Sequence, residues 1–290
     1  MPSLKDTKRR IASVKNTQKI TRAMKLVSSA KYAKANKMIV NASPYLEAFQ
    51  QTVARVGSVE SSKDLQHPLM CVRKEKKVLL ILISSDRGLC GGLNSNLFKK
   101  AESFLAQQGA AGVDCKLMLW GKRAKLFGQK YAPDVVDAQE RVLEQDLFVF
   151  AKQRSEILMR DFKAEAFDAV YMLYSHFKNA LTQTPTEMKV LPIAVPEFGE
   201  EAATVSVDMV TEPSSQALLG YLLERKMVLD MYHALLSAQT SEHAARMTAM
   251  DSATQNAEEV IRSLTLMYNR ARQAAITKEL IEITSGAEAL

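Results

Sequence analysis

From Pro213 to Ser285 the chain carries one uninterrupted helical pattern in which Gly220 is the sole internal breaker. Thr211-Glu212-Pro213 supplies a start signal and Gly286 a stop signal. Stepping alternately by three and four from Leu219 meets Leu222, Leu229, Leu236, Met250, Ala257, Ile261, Leu264 and Ala275, with Lys226, His233, Thr240 and His243 among them. The spacing predicts a coiled-coil seam, although an impure one. Its helix would extend roughly 110 Å at 1.5 Å per residue.

The other end of the chain answers to it. Residues 3–56 contain no glycine and read as helix of roughly 80 Å, with Met38, Ala42, Tyr45, Phe49, Val53 and Val56 spaced by threes and fours. Pro44 falls inside this stretch and is expected to kink or divide it, because its ring removes a backbone hydrogen bond. Polar residues 57–75, with Gly57, Ser61, Ser62 and Pro68, read as a linker. The domain boundaries that follow are 1–56, 57–75, 76–210 and 211–290. One helix runs toward the middle of the chain and the other away from it, so if they pair they are antiparallel. The longer C-terminal helix must then project alone, and its small terminal residues, Gly286-Ala287-Glu288-Ala289, could enter a narrow hole.

The middle third changes character. KKVLLILISS at 76–85 reads as a buried strand, followed by a Gly-rich turn and a helix over about 94–108. CKLMLWG at 115–121, DAVYMLYSHF at 168–177 and TEMKVLPIAV at 186–195 read as further strands, with a helix over about 144–165 between them. Strands alternating with helices predict a small α/β domain.

SSDRGLCGGLNSN at 84–96 lies between strand and helix, where phosphate loops and nucleophiles often sit. Its glycines at 88, 91 and 92 do not make G-x-G-x-x-G, no Gly-Lys-Ser/Thr follows, and there is no G-x-S-x-G elbow. A tight turn is the better reading, with Cys90 a small buried thiol, since no His in the segment could activate it. His67, His176, His233 and His243 form no metal spacing, and the last two read as polar seam residues that help set register.

Charge is the remaining signal. Residues 1–40 hold eleven Lys/Arg against Asp6 alone, which is +10 out of a total of +7, so the remainder is −3. Lys8, Lys15, Lys19 and Arg22 share one face. A field this concentrated implies an acidic partner: nucleic acid, an anionic membrane or an acidic protein loop. The bland alternative is a solvated face. The segment lacks the interleaved aromatics of a single-strand platform, with Tyr32 alone before Tyr45, yet a coiled-coil nucleic-acid- or nucleotide-binding protein stays open as the second reading. Cys71, Cys90 and Cys115 show no C-x-x-C spacing, which argues for a reducing compartment, and no stretch approaches the roughly 18 apolar residues of a membrane span.

Three blocks and a C-terminal motif together resemble the γ subunit family of F-type ATP synthases. ITKELIEITSGA matches that family's signature at Ile276, Thr277, Glu279, Glu282, Gly286 and Ala287. IASVKNTQKITRAMKLVSSAK at 11–31 is similar to its N-terminal helix, SSDRGLCGGLN to its first strand and turn, and SEHAARMTAMDSATQNA at 241–257 to its C-terminal helix. The resemblance implies a long antiparallel two-helix coiled coil around a central Rossmann-like α/β domain. It also implies a non-catalytic rotor without cofactor or bound nucleic acid. The expected partners are the α and β subunits of the α3β3 ring, the ε subunit and the c-ring, through which membrane association would be indirect. Arg272, Gln273 and Thr277 would contact a β-subunit loop, with Met24 on the facing helix near acidic loops. The basic face would meet those acidic loops, and the small tip a sleeve at the top of the ring. The expected location is the cytoplasmic side of a bacterial inner membrane.

Overall fold

A computed structural model describes residues 4–59, 67–194 and 214–288. The start signal at 211–213 lies outside them. Ten elements follow in order: α1 (Leu4–Val59), β1 (Lys77–Ile83), α2 (Leu93–Ala110), β2 (Asp114–Trp120), α3 (Lys122–Gly128), β3 (Val135–Gln139), α4 (Leu147–Lys163), β4 (Ala169–Phe177), β5 (Gln183–Leu191) and α5 (Ser215–Glu288). They form two compact units, one of residues 1–30 with 246–290 and one of residues 31–245. This division differs from boundaries at 56 and 210, because the inner parts of both long helices belong with the sheet.

In the larger unit the strand order is β3-β2-β1-β4-β5. β1 runs parallel to β2 and β4, β2 parallel to β3, and β5 antiparallel to β4. β1 is buried along its length after Lys77 because it is central and covered on both faces. Its side chains alternate with the pleat. Leu79, Ile81 and Ile83 enter a core with α4, α1 and α5, whereas Val78, Leu80 and Leu82 enter a second core with α2 and α3. Each such side chain contributes about 2 kcal/mol of transfer free energy.

Within this unit α5 is buried on more than one stripe. Leu223, Met227, Met231, Ala234, Leu235 and Leu236 all join the first core, so the seam expected at Leu229 and Leu236 is only part of a wider contact. Gly220 does not break the helix. A Cβ there would meet the His67 imidazole at 3.5 Å, an ordinary van der Waals contact, so the site would also accept a small side chain.

Several local expectations are corrected. Pro44 does not divide α1; it and Val40, four residues before it, are both exposed. Phe49, Val53 and Val56 are covered as expected, but Met38 and Tyr45 are 38% and 53% exposed, and Ile39 packs on the core where Met38 was expected to. α1 continues through the first residues of the supposed linker to Val59, and Pro68–Met70 form a turn of 3₁₀ helix. α5 runs through Gly286 to Glu288, since a glycine is tolerated in a helix at a cost of about 1 kcal/mol. α3 and β3 were not expected at all. β5 starts at Gln183, earlier than expected, because it is set by a tight hairpin with β4 in which Thr182 N–H donates to the Asn179 side chain at 2.8 Å. Among the described residues no helix is long and apolar enough to cross a membrane.

Candidate functional site

In the smaller unit the two helices meet side by side. Thr21 Oγ1 and Thr254 Oγ1 share a hydrogen bond at 2.8 Å, and Lys25 Nζ donates to Asp251 Oδ1 at 2.6 Å. As the number rises on α1 it falls on α5, which makes the pair antiparallel. The least exposed positions recur at threes and fours: Thr7, Ile11, Val14, Gln18, Thr21, Lys25 and Ser28 on α1, and Met250, Thr254, Ala257, Ile261, Leu264 and Tyr268 on α5. The α5 set falls on the expected seam.

The seam ends at Ala275, and from Ile276 to Ser285 every side chain is exposed. Ile276, Leu280 and Ile283 stand in solvent at spacings of four and three, a narrow apolar stripe on a bare helix. Such a stripe is suited to being received by another chain. Lys8, Lys15, Lys19 and Arg22 are all exposed, each one position past a seam residue, so they form one basic edge beside the contact. Their charge is free to face a partner.

The loop after β1 is closed on itself. Ser85 Oγ donates to the Arg87 carbonyl at 2.8 Å, Asn94 Nδ2 donates to Ser85 Oγ at 2.8 Å, and Asn94 Nδ2 lies 3.2 Å from Cys90 Sγ. Leu89 and Gly91 take positive φ of 63° and 58° to make the turn. Cys90 is buried, as expected. Asp86 Oδ1 accepts from the backbone N–H of Lys122 at 2.9 Å and of Arg141 at 2.8 Å, which ties this loop to the ends of β2 and β3. Asp86 was missed in the sequence because its partners are 36 and 55 residues away. The loop spends its polar groups on holding itself together, so it is built as a brace.

Of the four histidines, His67 accepts from the Leu69 N–H at 3.3 Å through Nδ1, and burial, then the Lys163 charge, lowers its pKa. His233 lies with its ring 6.3 Å from that of His176. Burial first, and then His176, lowers its pKa, with Asp230 opposing. Among the described residues no three His, Cys, Asp or Glu could hold a metal ion together.

The ATP synthase family model matches residues 3–290. The ATP synthase gamma chain of Pelotomaculum thermopropionicum is 41% identical over 290 residues, covering 100% of both chains. The chain belongs to the ATP synthase gamma chain family. The gamma chain of Desulforudis audaxviator is 42% identical over 301 residues, again covering 100% of both. The rotor of Euglena gracilis mitochondrial ATP synthase has a chain of the same fold, with a TM-score of 0.63 at 17% identity, covering 94% of this chain and 98% of that one.

The gamma-chain signature lies on the bare end of α5. Ile276, Thr277, Glu279 and Glu282 are exposed there, with Lys278 Nζ 3.5 Å from Glu282 and Thr277 Oγ1 donating to the Gln273 carbonyl at 3.0 Å. Gly286 and Ala287 fall within the last turns of the helix. Arg272 and Gln273 are exposed beside the end of the seam, whereas Met24 is half-buried on α1. The antiparallel register sets Met24 level with Asp251, about 30 Å along the axis from Arg272 at 1.5 Å per residue. The structure therefore does not bring these residues into one site. They are two stations on one gamma-chain helix pair.

Proposed function

We propose that this chain is the central-stalk rotor of an F-type ATP synthase, coupling ion flow through a membrane c-ring to ATP synthesis or hydrolysis at an α3β3 ring. Membership of the gamma-chain family carries this reading, and the helix pair with a bare apolar end supports it. A subunit of this kind does no bond chemistry itself. It acts as an asymmetric shaft whose unequal faces meet each catalytic subunit in turn. Arg272, Gln273 and Thr277 are proposed to touch a β-subunit loop, Met24 and the basic edge the acidic loops at the ring's base, and the signature end a sleeve at its top. The α/β unit would dock ε and the c-ring. Membrane association is then indirect, at the cytoplasmic face of a bacterial inner membrane.

The test reverses Lys8, Lys15, Lys19 and Arg22 to Glu, which leaves the seam untouched. ATP-driven proton pumping by reconstituted complexes should fall while helix content is kept. The wild-type chain alone should bind DNA and RNA only weakly, with an affinity that vanishes near physiological salt through counterion release. Unaltered pumping together with tight, salt-resistant nucleic-acid binding would sink the reading.

A further inference from the structure

The seam joining residues 4–30 to 246–275 is polar at the points where its register is most plainly visible. We propose that the Thr21–Thr254 hydroxyl pair and the Lys25–Asp251 ion pair are positioning residues that set the register of α1 against α5, and so set how much of α5 runs past the end of α1. This inference rests on contacts within the helix pair and not on the rotor reading.

The ion pair is a poor source of stability. The Lys25 and Asp251 side chains are 39% and 40% exposed, so water and salt screen their attraction. Apolar residues at the same seam positions would hold the helices more tightly. What apolar residues do not supply is uniqueness, because a seam that repeats every seven residues meets similar neighbours after sliding by seven. The polar pairs break that degeneracy. In the observed register each hydroxyl and each charge has its partner across the seam. Sliding by seven toward the C-terminal end sets Thr21 against Ile261 and Lys25 against Ala257, and separates both pairs. Thr21 then faces aliphatic Ile261 and Thr254 comes level with Ser28; because both threonine hydroxyls also bond carbonyls of their own helix, at Gln18 and Met250, the larger loss on sliding is the separated Lys25–Asp251 pair.

The consequence is a length. With Thr21 opposite Thr254, continuing the repeat places Leu4 level with Ala271, and the exposure of every residue from Ile276 to Ser285 agrees with α5 having passed the end of its partner. A slip of seven residues would move that end by about 10 Å. Arg272, Gln273 and Thr277 would then change from the edge of the seam to a different height on the pair.

Register is read by cysteine pairs in the full chain carrying Cys71→Ser. Val14→Cys with Ile261→Cys reports the observed register, and Val14→Cys with Tyr268→Cys reports the register slipped by seven. With the natural seam, mild oxidation should favour the first disulfide by at least about tenfold. Replacing the four residues by an apolar set, Thr21→Val, Thr254→Val, Lys25→Met and Asp251→Leu, should raise the slipped fraction by roughly fivefold or more without lowering the melting midpoint. Exchanging the charges, Lys25→Asp with Asp251→Lys, should return the ratio toward that of the natural chain, a rescue that a merely packing role would not give. Should the apolar set fail to fold, Lys25→Asp alone sets two carboxylates together and should raise the slipped fraction. A ratio within about twofold of the natural chain in the folded apolar variant, or in Lys25→Asp, overturns the proposal.

Discussion

Gly121 stands so close to Ser84 that a Cβ on it would lie 2.3 Å from the Ser84 carbonyl oxygen, and its φ of +101° is one that side chains rarely adopt. The contact joins the ends of β1 and β2, where Ser84 N–H donates to the Trp120 carbonyl at 2.8 Å and Ser84 Oγ accepts from Ala124 N–H at 2.6 Å. Gly121→Ala is therefore expected to cost about 3 kcal/mol, from backbone strain and overlap together. Urea unfolding checks it: an unchanged midpoint would mean the ends of β1 and β2 part easily.

A pH effect should follow from His233. Its folded-state pKa is lowered by burial and by His176, so the unfolded chain binds the proton more readily. The sign follows by linkage: stability is complete above the unfolded value of about 6.5 and is lost as pH falls below it, until the folded value is reached. Wild type and His233→Asn should therefore differ in the pH dependence of their urea midpoints between about pH 7.5 and 5.5, with the variant less sensitive to acid. Parallel curves would remove His233 as the cause.

Burial separates two leucines on α5. Leu236 is fully buried, and Leu236→Ala should cost about 2–5 kcal/mol through lost transfer energy and the cavity left behind. Leu280 is 58% exposed, and Leu280→Ala should change the stability of the isolated chain by less than about 0.5 kcal/mol. In assembly with α and β subunits the ranking should change, with Leu280→Ala weakening co-elution. If Leu280→Ala assembles normally, the apolar stripe of the tip has no receiving surface.

The isolated chain should not take up nucleotide. The glycines at 88, 91 and 92 lack the phosphate-loop spacing, and the Ser85 hydroxyl and Asn94 amide, the donors a phosphate would need, hold the loop instead. Titration calorimetry with Mg-ATP is expected to show no saturable heat in the micromolar range. Saturable binding would return a nucleotide-binding role to the loop after β1.

Sequence by itself determined the two long helices, the α/β middle and the family, because periodicity, the scarcity of glycine and a continuous C-terminal motif are local properties. It also determined the α5 seam from Met250 to Ala275, where one face alone is apolar enough. On α1 it did not suffice: Met38-Ala42-Tyr45-Phe49 and Ile39-Ala42-Leu46-Phe49 are both spaced by threes and fours, and only the surface against the helix shows that Ile39 is covered while Met38 and Tyr45 are exposed. α3 and β3 are short, and β3 is an edge strand held by its pairing with β2, so neither carries a pattern long enough to read alone. Ser214, whose Oγ accepts from Ala217 N–H at 3.2 Å, starts α5 by a contact that a preceding Thr-Glu-Pro obscures. The pairs Thr21–Thr254 and Lys25–Asp251 were decided by tertiary structure alone. Residues more than two hundred positions apart become neighbours only when the two helices come together, and neither local segment by itself names its partner on the other.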